Sequence, residues 1–519
     1  MAKGAIKKKD LKEGNTGRSF VLLSVLTVGE KILGFVLQAT IAAVLGATIV
    51  TDCYYATFEI TTLIDMSLVV AITVVLLKQY ADEIVNNGDE AAALLLSNAR
   101  SLILPGMFGL SLVILLFAQP ISYLLAPGYQ TSERSLLIDN IRWLAFLPMI
   151  NTASLFYIVI LRQKKRFLIT GLKSLFINIF GFIGIGCYIL FHSKTSFYLC
   201  LTYNFGLVIY GIVAFAFSRR WNRLKIVKPE VTPQFRAFLK MLLPLVISNG
   251  IVRISLLVDR IISSMMGEGA VTCLTYAHML SYFVEGVFII NISTVLLSDF
   301  INLAAKNDNE SIRNKLRSSL SIMIIILLPI SLITVIYSKQ ITSIVFYHGN
   351  FSMNDVNRVA TLISFYAIGF VPSVISNIYM QTHYAFGKTR TTLNISIVSI
   401  ASNIVISVVL ASIVGLSGIA IGTCMSYIIS GLIYSKKIGE IVEDYRIIIN
   451  LRFLLSIFMS ALVCVGIALL IRDKIESNIL SFVCATVLGI GAYVAVLVIV
   501  REQNVITLLN KGMSKIKKQ

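Results

Sequence analysis

Fourteen apolar runs, most of them about 20 residues or longer, follow one another along this chain with only short polar breaks. They lie near residues 19–45, 52–77, 101–126, 137–161, 167–191, 196–218, 238–266, 270–302, 318–337, 356–386, 391–414, 416–435, 453–471 and 478–500. A run of roughly 20 apolar residues spans the hydrocarbon core as a helix, which satisfies its backbone polar groups internally where no water is present. Charged residues make up only 14% of the chain, against about 25% in soluble domains, so there is too little polar material to coat a water-facing surface. A soluble enzyme, a nucleic-acid binder and a disordered scaffold are excluded. The expectation is an all-α polytopic membrane protein with about 14 transmembrane helices. The loops are too short for a folded extramembrane domain. The basic start (Lys7, Lys8, Lys9, Lys12, Arg18) runs straight into a full-length span, so no cleavable signal peptide is expected.

The net charge of +19 would suit nucleic acid, but its distribution points to topology instead. With the N-terminus placed in the cytoplasm, 35 of the 45 Lys and Arg residues fall on the inner side, 7 outside and 3 within spans. Such a bias sets orientation, so both termini are expected to be cytoplasmic in a bacterial-type inner membrane. A basic inner face also suits an anionic leaflet of the phospholipid bilayer, and no nucleic-acid partner is implied. The seven cysteines (Cys53, Cys187, Cys200, Cys273, Cys424, Cys464, Cys484) all lie in spans without metal-binding spacing, and read as small packing residues.

The chain repeats itself. Gly46, Val50, Thr51, Tyr55 and Ala56 recur 221 residues later as Gly267, Val271, Thr272, Tyr276 and Ala277, both times where one long span passes to the next. This divides the chain into a basic tail (1–18), an N-lobe of six spans (19–220), a linker (221–237), a C-lobe of six spans (238–436), two further spans (450–500) and a basic tail (501–519). Parallel repeats of this kind build secondary transporters.

An ionisable group inside a span costs about 2.5 kcal/mol or more, which marks it as a functional candidate. Such groups concentrate in the first two spans of each half. They are Glu30 and Lys31, then Asp52, Glu59 and Asp65, then Arg253, Asp259 and Arg260, then His278, Glu285 and Asp299. Seven-residue spacing puts Asp52 and Glu59 on one stripe, and likewise His278 with Glu285 and Arg253 with Arg260. Lys31, Arg253 and Arg260 are the cations available to an anionic head group, which cannot enter a low-dielectric space uncompensated.

Four stretches resemble the MviN/MurJ-type lipid II flippases of the multidrug/oligosaccharidyl-lipid/polysaccharide (MOP) exporter superfamily. The first is Lys31-Ile32-Leu33-Gly34-Phe35 with Leu45-Gly46 and Thr51-Asp52-Cys53-Tyr54-Tyr55-Ala56. The second is Tyr276-Ala277 with Thr294-Val295-Leu296-Leu297-Ser298. The third runs from Phe346-Tyr347-His348-Gly349-Asn350-Phe351 to Tyr384-Ala385-Phe386-Gly387-Lys388-Thr389, and the fourth is Gly415-Leu416-Ser417-Gly418-Ile419-Ala420. The chain departs from the family pattern at Leu37-Gln38, Met66, His278-Met279 and Thr391-Thr392, where arginines, a charged partner and a proline are expected. Motif matching carries over most directly to Lys31 and Asp52.

The resemblance implies a flippase, not an enzyme, that moves a polyprenyl-pyrophosphate-linked saccharide from the inner to the outer leaflet by alternating access. Lipid II or a related glycan is the implied cargo, and other envelope-synthesis proteins are candidate partners. Read from the residues themselves, Lys31, Arg253 and Arg260 are expected to hold the pyrophosphate, and Asp52, Glu59, Asp65 and Glu285, with His278, to gate or to bind sugar and amine groups; the resemblance implies that the last two spans shelter the lipid tail. No cofactor is expected. Sodium, through Asp259, Asn394 and Asn403, or the membrane potential would drive transport. Two rival readings are a proton- or sodium-coupled multidrug antiporter of the same superfamily and a non-transporting scaffold for envelope assembly.

Overall fold

The computed structural model describes residues 16–305, 309–442 and 451–500. Residues 1–15 of the expected N-tail, the expected C-tail at 501–519, and the side chains of Thr294, Val295 and Ser298 lie outside the described residues. Every regular element among the described residues is helical. The chain runs through α1 (Thr16–Leu45), α2 (Ile49–Ile64), α3 (Val70–Leu116), α4 (Ala118–Leu125), α5 (Thr131–Leu144), α6 (Leu147–Gln163), α7 (Phe167–Gly171), α8 (Lys173–Leu190), α9 (Phe197–Ser218) and α10 (Pro233–Ser264). It continues through α11 (Ala270–Glu285), α12 (Asn291–Ala305), α13 (Asn309–Ile336), α14 (Ser338–Phe346), α15 (Met353–Ile368), α16 (Phe370–Ala385), α17 (Thr389–Val414), α18 (Ser417–Lys437), α19 (Leu451–Lys474) and α20 (Asn478–Ile499).

Eleven helical stretches among the described residues are long and apolar enough to cross a membrane, or twelve if the bent pair α15–α16 counts as one span. The expectation was fourteen, and the difference has local causes. The stretch Ile49–Leu116 takes in the expected span 52–77 and most of the expected span 101–126, and is broken at Gly88, where φ is +87°. Asn86-Asn87-Gly88-Asp89 is turn chemistry, and only glycine adopts that φ without strain. The expected span 270–302 falls on α11 and α12, of 16 and 15 residues, separated by a π-helical turn. Neither helix reaches span length alone.

The chain divides into two compact units, and the boundary passes through α10 between Ile254 and Ser255. In the first unit, Ile72, Val75, Leu76 and Tyr80 on one arm of α3 join Ala92, Leu96, Ala99, Ile103 and Met107 on the other, with Leu155, Phe156, Val159 and Ile160 of α6. Steps of three and four residues make these the inward stripes of helices whose other faces meet lipid. The second unit also takes in residues 45–55 and 126–129. One of its cores joins α13, α16 and α18 through Leu316, Leu320, Met323, Val374, Ile378 and Tyr434. Another packs α13 on α19 and α20 through Ile333, Cys464, Ala468, Ala485 and Tyr493. Small residues allow the close approaches that membrane helices rely on, as where a Cβ on Gly418 would collide with the backbone of Leu410 and Ala411. All seven cysteines are free thiols, five buried and two half-buried.

The 221-residue repeat extends from sequence into backbone. α2 and α11 each have 16 residues, beginning at Ile49 and Ala270. Each passes directly into a five-residue π turn, Asp65–Val69 and Gly286–Ile290. Gly46 and Gly267, before the two helices, both have positive φ, +69° and +86°.

Candidate functional site

Asp52 sits in the first turn of α2, fully buried. Its Oδ2 accepts the Gly269 N–H at 2.7 Å, and its Oδ1 accepts both the Thr272 N–H at 2.7 Å and the Thr272 hydroxyl at 2.6 Å. It therefore caps the start of α11, where four backbone donors lack partners within the helix. The reverse contact comes from Glu268, whose Oε1 accepts the Ile49 N–H at the start of α2 at 3.0 Å. Arg260 completes the arrangement: its guanidinium donates to the Val271 carbonyl at 3.1 Å. Arg358 donates to the Glu268 carbonyl at 2.8 Å.

Three of the motif stretches meet here, within the second unit. The repeat-related Tyr55 and Tyr276 hydroxyls are 3.3 Å apart. Tyr276 stacks on Phe346 at 4.5 Å between ring centroids and meets Phe351 edge-on at 5.7 Å. A Cβ on Gly46 would lie 2.7 Å from the Asn350 carbonyl oxygen, so that position requires glycine for space as well as for φ. Thr51 holds the preceding turn by donating to the carbonyls of Gly46 and Thr48.

Deeper in the second unit, His278 is buried and its Nε2 lies 2.5 Å from the Tyr366 hydroxyl, with the rings 4.8 Å apart. Asp259 is buried on α10, one turn beyond Ser255. Ser255 donates to Asn403 Oδ1 at 2.5 Å, and Asn403 Nδ2 donates to Thr423 at 3.1 Å. This joins α10, α17 and α18 through oxygen-bearing side chains. Asn394 is exposed, nine residues before Asn403 on α17 and therefore half a rotation round the helix from it. Glu285 is half-buried at the last position of α11, against the π turn.

The first unit holds the remaining candidates apart from Asp299. Lys31 is exposed on α1, and Arg253 is half-buried on α10. Glu59 is half-buried on α2. Asp65 opens the π turn and pairs with Lys173 of α8 at 3.2 Å. Asn178 of α8 donates to the Glu30 carbonyl at 3.1 Å and lies against Gly34. Asp299 pairs with Lys315 at 2.6 Å in the second unit. Among the described residues no group of three or more His, Cys, Asp or Glu side chains is arranged to hold a metal ion. Sequence reading missed Glu268, Lys173, Tyr366, Asn178 and Thr423. Of these only Glu268 carried a signal, a carboxylate beside the repeated glycine.

The family profile described as lipid II flippase MurJ matches residues 41–488. A probable lipid II flippase MurJ of Buchnera aphidicola subsp. Acyrthosiphon pisum is 25% identical over 513 residues, covering 93% of this chain and 95% of that protein. The corresponding protein of Buchnera aphidicola subsp. Baizongia pistaciae is 24% identical over 481 residues, covering 89% and 91%. The fold is similar to that of a solved lipid II flippase MurJ in an inward closed conformation, with a TM-score of 0.77 at 19% identity over 92% of this chain and 98% of that one. It is also similar to an inward-facing multidrug resistance MATE transporter of the MOP superfamily, with a TM-score of 0.65 at 15% identity over 80% and 96%.

Proposed function

The chain belongs to the lipid II flippase MurJ family, and from that premise we propose that it carries lipid II, or a closely related polyprenyl-pyrophosphate-linked saccharide, from the inner to the outer leaflet. The observation that carries the reading is the family match from residue 41 to 488, which runs through both repeats and into α20. Translocation requires no bond to be made or broken. It requires two states with different preferences for the head group. Lys31 and Arg253, both in the first unit, bind the pyrophosphate, because doubly charged phosphates select cations wherever water is scarce. Arg260, in the second unit, serves the start of α11 through its bond to the Val271 carbonyl. Glu59, in the first unit with Lys31 and Arg253, binds the sugar and peptide amines.

Sodium is the coupling ion in this reading, held by Asp259 with the oxygen-bearing chain of Ser255, Asn403 and Thr423. Oxygen donors of this kind suit a hard cation. The membrane potential adds about 2.3 kcal/mol per charge per 100 mV.

The test is translocation of fluorescent lipid II in proteoliposomes. The double variant Lys31→Gln with Arg253→Gln is expected to lose at least tenfold in rate while retaining its thermal stability. A drug antiporter of the same fold would keep its transport through both changes. Unchanged lipid II translocation would remove these two residues from the pyrophosphate site.

A further inference from the structure

We propose that the first unit carries a binding site for an anionic phospholipid, with an acyl chain in the groove between α6 and α9 and the phosphodiester against arginines at its mouth. The groove encloses about 360 Å³ and is apolar, walled by Met149, Ala153 and Tyr157 on α6 and by Val208, Gly211 and Phe215 on α9. Ala153 and Gly211 keep it open: a Cβ on Gly211 would meet only the Ser154 Cβ, at 3.5 Å. Val208, Ile212 and Phe215 leave their side chains exposed along one stripe of α9, as a surface offered to a hydrocarbon chain.

At one end of the groove Tyr157 and Phe215 meet edge-on at 5.2 Å. Just beyond them both helices stop, and the chain turns basic on each side. Arg162 stands in the last turn of α6 and Arg166 follows that helix, and Arg219 and Arg220 follow α9; all four are exposed. Trp221 draws the two segments together, with the Arg166 guanidinium 5.4 Å and the Arg220 guanidinium 6.0 Å from its ring. The nearby acids are engaged elsewhere, Asp89 with Lys164 at 3.7 Å and Glu90 with Arg223 at 4.0 Å. Among the described residues none of the four arginines has a carboxylate within 4 Å.

Setting orientation needs basic residues only somewhere in each inner loop. Here two loops converge on one indole at the mouth of an apolar groove, which is how an anionic lipid is held at an interface. Guanidinium groups match the phosphodiester oxygens, and the tryptophan marks the head-group level. Phosphatidylcholine has the same phosphodiester, but its own ammonium repels the arginines. The site therefore selects for net negative charge.

Native mass spectrometry of the full chain, titrated with dioleoyl phosphatidylglycerol and with dioleoyl phosphatidylcholine, separates the two contributions. The parent protein is expected to retain phosphatidylglycerol at least tenfold more tightly than phosphatidylcholine, and added salt should erode that preference. Arg166→Gln with Arg219→Gln and Arg220→Gln should abolish the preference, while the matching triple lysine variant keeps most of it. Gly211→Leu, which fills the groove without touching the charges, should weaken both lipids alike. Equal retention of the two lipids by the parent at low salt, which requires no variant, overturns the proposal. An unaltered preference in the triple glutamine variant overturns it as well.

Discussion

Asp52 shows what a residue's identity does and does not reveal. A carboxylate in an apolar span announces that something offsets its desolvation, and here three donors at the start of α11 do so. Its partner lies about 220 residues away, and no local spacing rule reaches that far. Asp52→Ala leaves those donors buried without partners and should cost about 2–4 kcal/mol, read as a lowered melting temperature of the purified protein. Glu268→Ala at the opposite cap should lower it far less, since that pair is exposed to solvent. Gly46→Ala combines a positive φ with a collision against the Asn350 carbonyl and should cost about 1–3 kcal/mol by the same measurement. Arg260 and His278 were legible as buried polar groups, but their partners, the Val271 carbonyl and the Tyr366 hydroxyl, were not.

Among the elements, the two π turns carry the most consequence. A π turn takes one extra residue into the helical register as a local widening, and such turns concentrate at functional positions. Here they fall at the same point of both repeats, immediately after 16-residue helices, with Asp65 inside one and Glu285 bordering the other. Deleting Met66, which is exposed, removes the one extra residue and should close this turn to α geometry, so that the residues beyond keep their facing and only the widened turn is lost. The expected result is a protein that still inserts and purifies but has lost lipid II translocation in proteoliposomes. Apolar periodicity does not reveal a π turn, because one added residue in an all-apolar stretch leaves its composition unchanged. Gly88 was legible in principle, since Asn-Asn-Gly-Asp is turn chemistry inside a helical pattern.

Over the whole molecule, the repeat and the charge asymmetry are the large-scale signals. This is a multi-pass membrane protein of two compact units, and the expectation from its Lys and Arg distribution is that both chain ends are cytoplasmic. A fluorescent reporter that folds only in the cytoplasm, fused after Gln519, should be bright, and an alkaline phosphatase fused at the same place should be inactive. The opposite pair of results would place the C-terminus on the outer side and overturn the expectation. Adding five lysines to the segment around Lys194 should disturb this orientation, whereas five glutamates should not, because positive charge dominates the sorting.

The sequence by itself determined the membrane-spanning helical class, the direction of the charge bias and the 221-residue duplication. Each of these rests on quantities local to the chain: how apolar a window is, where lysines fall, and whether one stretch resembles another. Only the tertiary structure decided which buried polar groups answer one another. It paired Asp52 with the start of α11, Asp65 with Lys173 and His278 with Tyr366, and it brought Arg166 and Arg220, 54 residues apart, to the one indole of Trp221. Those pairings depend on how helices from distant parts of the chain pack side by side. In a span where nearly every neighbour is apolar, the sequence shows that a partner is needed without showing where it comes from.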